Sequence, residues 1–353
     1  MAVHPERNNN SEFSKEEVLS VSGDSGVVNQ IELLGRSFAG KDVSNYHVVR
    51  KGNIIYTKSP LKEFPYGIVK MNKGDDGIVS TLYAVYDVEP TSRGEFIEQY
   101  FAYAPRANRY FKPIVRIGAK HDMKIGNDEV LDNVVVFPSI SEQNKIADFL
   151  NIIDGRISIQ TKIIEQYKSL IRALYARMLG KMGGEKYALG QLVTIRKGQQ
   201  VNGEFLAESG TYKVLNGGIN PSGYLEEYNT PSGTISISEG GNSCGYVQFN
   251  SEPFWSGGHC YILESNDEMV NYLFLYHYLK FKQADIMALR IGSGLPNIQK
   301  KDLEKFEVII PDTQYQNKAT SIFSVLSEKM ELEQYMLGVM NEQKAYLLRQ
   351  LFI

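Results

Sequence analysis

The chain says one thing twice. Pro138, Gln143, Asn144 and Lys145 return as Pro311, Gln316, Asn317 and Lys318, each 173 residues later. A signature doubled at one fixed spacing demands two equivalent supersecondary units, and an apolar stripe of the same spacing follows each copy. Ile146, Leu150, Ile153, Ile157, Gln160, Ile164, Tyr167, Ile171, Leu174 and Met178 step by 4 and 3 in strict alternation. Adding 173 gives Ala319, Phe323, Leu326, Met330, Glu333, Leu337, Met340, Lys344, Leu347 and Leu351, apolar at all but two positions. A 3.5-residue period keeps one helix face turned toward a partner helix, so both segments are predicted as long coiled-coil helices. Gln160 and Glu333 break the two seams at equivalent positions. In an antiparallel pair with a local two-fold axis they meet near the middle as a register-setting polar layer. Two tolerated surface polar residues are the plainer reading. Residues 141–180 would form a rod about 60 Å long, ended by Gly180, Gly183 and Gly184.

Between the helices lie two stretches of similar size and different sequence. Strand patterns run through residues 45–58 and 76–88 in the first, and through 211–219, 233–238 and 259–264 in the second, rich in β-branched and aromatic residues and punctuated by Gly or Asp. Each stretch has one helical candidate, Phe96 to Tyr103 and Tyr272 to Ala288. Each closes in an expected strand that runs into the repeated proline, "NVVVFP" at 133–138 and "FEVIIP" at 306–311. The expected fold is α+β, two mixed α/β globules separated by two long helices in an antiparallel coiled coil, with a pseudo-two-fold repeat. The expected boundaries are 1–137, 138–184, 185–310 and 311–353.

"VVVFPSISEQNKIADFLNIIDGRI" at 134–157, weakened to "VIIPDTQYQNKATSIFSVLSEKM" at 308–330, resembles the conserved regions of the specificity subunit of type I restriction-modification systems. "YHVVRKGNIIYTKS" and "DGIVSTLYAVY" in the first globule are similar to target-recognition domain phrases. So are "LGQLVTIRKG", "YKVLNGGINPSGY", "FWSGGHCYIL" and "GSGLPNIQKKDLEKFEVIIP" in the second. The chain departs from the pattern in having no counterpart of "LGQLVTIRKG" in its first globule. Its second helix also carries Thr320, Ser327 and Lys344 where the pattern or the seam leads one to expect other residues.

The resemblance implies that each globule is a target-recognition domain reading one half of a split double-stranded DNA site, the half-sites about one helical turn, roughly 34–36 Å, apart. It implies helices that space the domains and dock two modification subunits, with restriction subunits in the larger complex. Adenine methylation belongs to the partner, which must flip its target base. S-adenosylmethionine is then the cofactor of the partner methyltransferase, and ATP and Mg those of the restriction subunit, with none bound by this chain. The sequence agrees in lacking a Gly-rich S-adenosylmethionine loop, an Asn-Pro-Pro-aromatic tetrad and a GxxxxGK[ST] phosphate loop. DNA-contact candidates in the first globule are Arg106, Arg109, Lys112, Arg116 and Lys120, interleaved with Tyr110 and Phe111, with Lys58 and Lys73 in flanking loops. In the second they are Arg196, Lys197, Gln199 and Gln200 in one loop and Arg290, Ser293, Asn297 and Gln299 in another, because Arg reads guanine and Asn or Gln reads adenine by paired hydrogen bonds. A solvated surface is the alternative for each of them. "SEGGNSCGY" at 238–246 is either a backbone approach to phosphate or a tight turn. Docking candidates are Glu142, Gln143, Lys145, Gln316 and Lys318 at the helix starts. Capping by Ser141 and by Asp312 or Thr313 is the competing role for these termini.

Charge pulls against this. The formal net charge is −3, whereas duplex binders show a basic face. Residues 41–137 carry a net +2 and residues 185–311 a net −4, so tight binding is expected to need the modification subunits. No signal segment and no apolar run of membrane-spanning length stands out, and a cytoplasmic protein is expected. Cys244 and Cys260 fit neither a disulfide scaffold nor a zinc motif, and no metal is expected. Two other classes stay open: a coiled-coil scaffold without DNA sequence preference, and a free-standing nuclease or methyltransferase using scattered acids such as Asp75, Asp76 and Asp122.

Overall fold

The computed structural model describes residues 1–118, 123–266, 270–292 and 294–352. It divides into two compact units, residues 1–161 with 335–353 and residues 162–334. Each holds one globule and half of each long helix.

The seams do form long helices, Ile140–Met178 and Thr313–Gln350. In the first unit Ala147, Leu150 and Ile153 near the start of one pack with Leu347, Leu348, Leu351 and Phe352 at the end of the other. In the second unit Tyr175, near the end of the first helix, meets Phe323, near the start of the second, edge to face at 4.4 Å between ring centres. The Tyr315 hydroxyl donates to the Met178 carbonyl at 2.7 Å, satisfying one of the free acceptors of the helix end. The helices therefore pair antiparallel. Lys344, out of place in an apolar seam, has a specific partner: its Nζ lies 2.5 Å from Asp154 Oδ1, and Gln99 Nε2 donates to Asp154 Oδ2 at 2.7 Å. Gln160 is buried in the first unit and Glu333 half-buried in the second. The caps are Ser139, whose hydroxyl accepts from Glu142 N–H, and Asp312, whose carboxylate accepts from Tyr315 N–H. Ser141 lies inside the first turn.

The globules share one plan. In the first, a four-stranded antiparallel sheet runs in the order Ala2–Val3, Tyr83–Asp87, Ile54–Thr57, Val69–Met71. In the second the order is Val193–Lys197, Cys260–Ser265, Thr234–Ser238, Val247–Asn250. Ala2–Val3 thus holds the place of Val193–Lys197. The cross-strand pair His4–Asp87, 2.9 Å apart, repeats as Arg196–Glu264 at the same separation. The sequence "LGQLVTIRKG" has no counterpart in the first globule, as read, but the place of its strand is filled by different residues. In both globules the helix after the sheet, Gly94–Phe101 or Tyr272–Phe281, is followed by a second one, Ala104–Phe111 or Gln283–Met287. Their cores are Ile54, Tyr56, Tyr86, Ile97 and Phe111 in the first, and Ile235, Ile237, Leu263, Phe274 and Tyr278 in the second.

One expected strand fails. "FEVIIP" forms Glu307–Ile310, paired antiparallel with Glu185–Ala188, but "NVVVFP" at 133–138 joins no sheet. Its valines favour extension, yet a strand exists only where another supplies the ladder. Among the described residues no helix is long and apolar enough to cross a membrane.

Candidate nucleic-acid interface

The repeated glutamine turns out to be a fastener. Gln143 is buried at the start of the first long helix. Its Oε1 accepts from Arg93 N–H at 3.0 Å, and its Nε2 donates to the carbonyls of Thr91 at 3.2 Å and Pro138 at 2.9 Å. Gln316, equally buried, accepts from Asn271 N–H at 2.8 Å and donates to the Pro311 carbonyl at 2.9 Å. Both amides tie the helix start to main-chain atoms of their own globule. That corrects their reading as docking residues, because neither is reachable. Glu142, Lys145 and Lys318 are exposed.

The helices also carry outward apolar residues that the seam pattern does not include. Ile152 and Ile159 are 64% and 60% exposed in the first unit, and their counterparts 173 residues on, Val325 and Leu332, are 51% and 57% exposed in the second. Seven residues apart, each pair lies on one helix face. Two equivalent apolar pairs are left facing solvent.

In the second globule a cleft of about 490 Å³ gathers two glycine doublets, Asn216-Gly217-Gly218 and Glu239-Gly240-Gly241, with His259, the residue that follows a third doublet, Gly257-Gly258. The glycines are required. At Gly217, φ is +81° and an added Cβ would sit 3.2 Å from the Gly240 carbonyl, while at Gly257 it would press on Asn216 at 2.7 Å. Glu239, at the centre, accepts from Lys197 Nζ at 2.6 Å and from the Tyr261 hydroxyl at 3.1 Å through Oε1. Its Oε2 makes no hydrogen bond and lies 3.4 Å from His259 Nδ1. The Asn216 Oδ1 accepts from His259 N–H at 3.1 Å, and Asn242 and Asn297 complete the polar wall. The "SEGGNSCGY" segment is a turn, with Gly241 at φ +76° and Cys244 N–H donating to its carbonyl.

The cleft brings Lys197 together with Asn297, one from each expected contact loop. It corrects the placement of Arg196 and Lys197, which stand on the strand Val193–Lys197 and only lead into a loop. Arg196 is paired with Glu264 and Lys197 with Glu239. Gln199 and Gln200 are exposed beyond the strand, and the Gln199 carbonyl accepts from Trp255 Nε1 at 3.0 Å. Arg290 is exposed, and half-buried Gln299 donates to Asn297 Oδ1 at 3.0 Å. Ser293 lies outside the described residues. Glu239, Asn216, Asn242 and His259 are additions, and their signal was the thrice-repeated Gly-Gly.

In the first globule Arg106 drops out of the candidate set. It is buried, and its guanidinium donates to the carbonyls of Tyr100 at 3.0 Å and of Leu348 and Phe352 at 2.8 Å each. It caps the end of the second long helix, where a cation belongs. Lys58 donates to Asn127 Oδ1 at 2.7 Å, and burial lowers its pKa. Lys73 is paired with Glu98 at 2.6 Å. Arg109, Lys112 and Arg116 are exposed, as is Lys124 on the strand opposite Arg116, and no ion pair engages any of the four among the described residues. They form an exposed group of unpaired cations on the stretch from Arg109 to Lys124. Lys120, like Asp122, lies outside the described residues.

Residues 183–337 match the family model for the type I restriction modification DNA specificity domain. The chain carries a type I DNA specificity domain. Putative type I specificity subunits of Mycoplasma pneumoniae and Mycoplasma genitalium are each 34% identical to it, over 148 and 150 residues, or 41% of this chain. The matches span 39% and 38% of those proteins, about two fifths of the length of the curated relatives. The type I S subunit structure from M. genitalium superposes with a TM-score of 0.68 at 18% identity, covering 99% of this chain and 90% of that one. A second structure, from work on assembly and conformational transition of a type I system, gives 0.53 at 13%, covering 99% and 95%. The fold around the specificity domain is thus the S-subunit fold, and the family resemblance read from the motifs is borne out.

Proposed function

We propose that this chain is the DNA sequence-specificity subunit of a type I restriction-modification system, that its two globules read the halves of a bipartite target, and that it positions two modification subunits without catalysing either reaction itself. The observation that carries the reading is the duplicated plan, one sheet order used twice, each copy latched by the same glutamine to a long helix, with the specificity domain in one copy. In the second globule the polar cleft is the base-reading surface. A Glu239 oxygen without a hydrogen bond accepts from the cytosine amino group, and the asparagine amides suit adenine. Lys197 is neutralised by Glu239, so this globule contributes little phosphate attraction and works by selectivity. In the first, Arg109, Lys112, Arg116 and Lys124 supply phosphate contacts, which position the duplex without reading it. The exposed pairs Ile152/Ile159 and Val325/Leu332 are where two like partners dock, with Glu142, Lys145 and Lys318 on the same helices, because repeated surface admits repeated binding.

The test is methylation profiling of DNA exposed to this chain together with a cognate modification subunit, each component omitted in turn. The expected result is one split motif, methylated on adenine in both halves only when both components are present. Glu239→Gln should change the base preference of one half and leave the other intact. Methylation at unchanged sites without this chain would refute the proposal in favour of a scaffold.

A further inference from the structure

The segment at 133–138 stands where Glu307–Ile310 stands in the other copy, 173 residues on, and differs from it in one respect: its ladder is empty. Glu307–Ile310 is covered by Glu185–Ala188, with Tyr187 opposite Val308 and Lys186 opposite Ile309. Among the described residues no main-chain hydrogen bond engages Val134 to Phe137. Its burial nevertheless alternates as along a strand. Val135 and Phe137 turn inward and are half-buried, whereas Val134 and Val136 turn outward and are 90% and 89% exposed. Two adjacent outward valines on an open edge are what folded proteins ordinarily avoid. In the second copy the chain runs from the covering strand into the short helix Leu189–Leu192, whose Leu189 and Leu192 are buried and which packs against Lys300–Glu304. In the first copy the counterpart of Lys300–Glu304 is the turn Glu129–Leu131, and a cleft of about 470 Å³ opens beside it, lined by Ile114, Ile125, Glu129 and Asp132.

We infer that the edge Val134 to Phe137 is a docking site for an extended polypeptide strand supplied from outside the described residues, bound antiparallel and continuing into a helical turn with leucines three apart, as Glu185–Leu192 does in the other copy. The repeat identifies the occupant's form, and the difference between the copies identifies its side chains. Lys186 is held at 2.8 Å by Glu307, but Val134 stands in the place of that glutamate and no acid is offered. The occupant's outward residues are therefore apolar, pairing across the ladder with Val134 and Val136. This strand addition gains affinity from main-chain bonds and selectivity from alternate side chains.

The probe is a fluorescent peptide with the sequence of residues 185–192 carrying Lys186→Val, titrated into the full chain. The expected result is saturable binding that slows amide exchange at Val134 to Phe137. It should weaken about tenfold, the scale of two lost apolar cross-strand pairs, in the Val134→Lys, Val136→Lys double variant and when the peptide carries Tyr187→Pro. Both valines face solvent, so the variant should fold as the parent does, and its unchanged thermal transition controls for that. Equal binding to parent and variant, or no slowing of those amides, would overturn the inference. A concentration-dependent dimer abolished by the same variant, without peptide binding, would overturn it too, and assign the edge to a second copy of the chain.

Discussion

Replacing Gln143 by Met, close in length and without an amide, tests the fastener directly. Three hydrogen bonds are lost at a fully buried position. The Arg93 N–H is left with no acceptor where water does not reach, which costs about 1–3 kcal/mol, and each of the two carbonyl bonds adds about 0.5–1.5 kcal/mol. The expected loss is therefore on the order of 2–6 kcal/mol, felt by the first unit. Hydrogen exchange followed by mass spectrometry or NMR is the assay, because it resolves the joint from the rest. In Gln143→Met the Arg93 amide should exchange faster while the Asn271 amide, held by Gln316, stays protected; Gln316→Met should reverse the pattern. If Arg93 stays protected in Gln143→Met, the glutamine is not what holds the globule to the helix, and the explanation offered for its repetition is wrong.

Three further outcomes follow from the same geometry. His47 and His277 are buried and their pKa values are pushed down to about 4 by desolvation. Because the folded values lie below the ordinary 6.5, this stability is whole above that pH and is lost as the pH falls toward 4. The loss is about 2 kcal/mol per histidine near pH 5, and a urea titration across that window should show it shrink in His277→Phe. Arg106→Leu strips three carbonyls of a buried cation and should lower denaturant stability by about 3–5 kcal/mol, whereas Arg109→Ala should leave stability within about 0.5 kcal/mol; equal effects would contradict the assignment of Arg106 to the helix end. Lys344→Leu alone leaves Asp154 half-partnered and should destabilise by about 1–3 kcal/mol, while Lys344→Leu with Asp154→Leu and Gln99→Leu, which removes the buried amide together with its acceptor, should recover part of it, as read by a mutant cycle.

The long helices were legible because a 3.5-residue period sustained over ten positions is a signal that local propensity cannot imitate. The shared plan of the globules was legible from their β-branched runs. What the sequence hides is partnership. Gln143 and Gln316 look like surface residues because a polar side chain is usually outside, and nothing local says that their amides meet main-chain groups fifty or so positions away. "NVVVFP" reads as a strand for its valines, but a ladder needs a second edge that sequence does not place. The helix Ala104–Phe111 was obscured by Pro105 and read as a basic cluster, although proline near a helix start is well tolerated. The glycine doublets are visible one by one, and only the fold brings two of them to one cleft with His259 from beside the third.

The fastener has a consequence for how such a chain can change. Within each globule, Gln143 accepts from the Arg93 N–H and donates to the Thr91 carbonyl, and Gln316 accepts from the Asn271 N–H, all of them main-chain groups. Any residue but proline offers the N–H that is needed at those positions. These bonds place no demand on side-chain identity at Thr91, Arg93 or Asn271, whereas the contacts of Gln99 with Asp154 and of Arg106 with the carbonyls of Leu348 and Phe352 depend on which residues the globule presents. Those two residues, Gln143 and Gln316, make a standard socket, and the rest of the fit is particular to each globule.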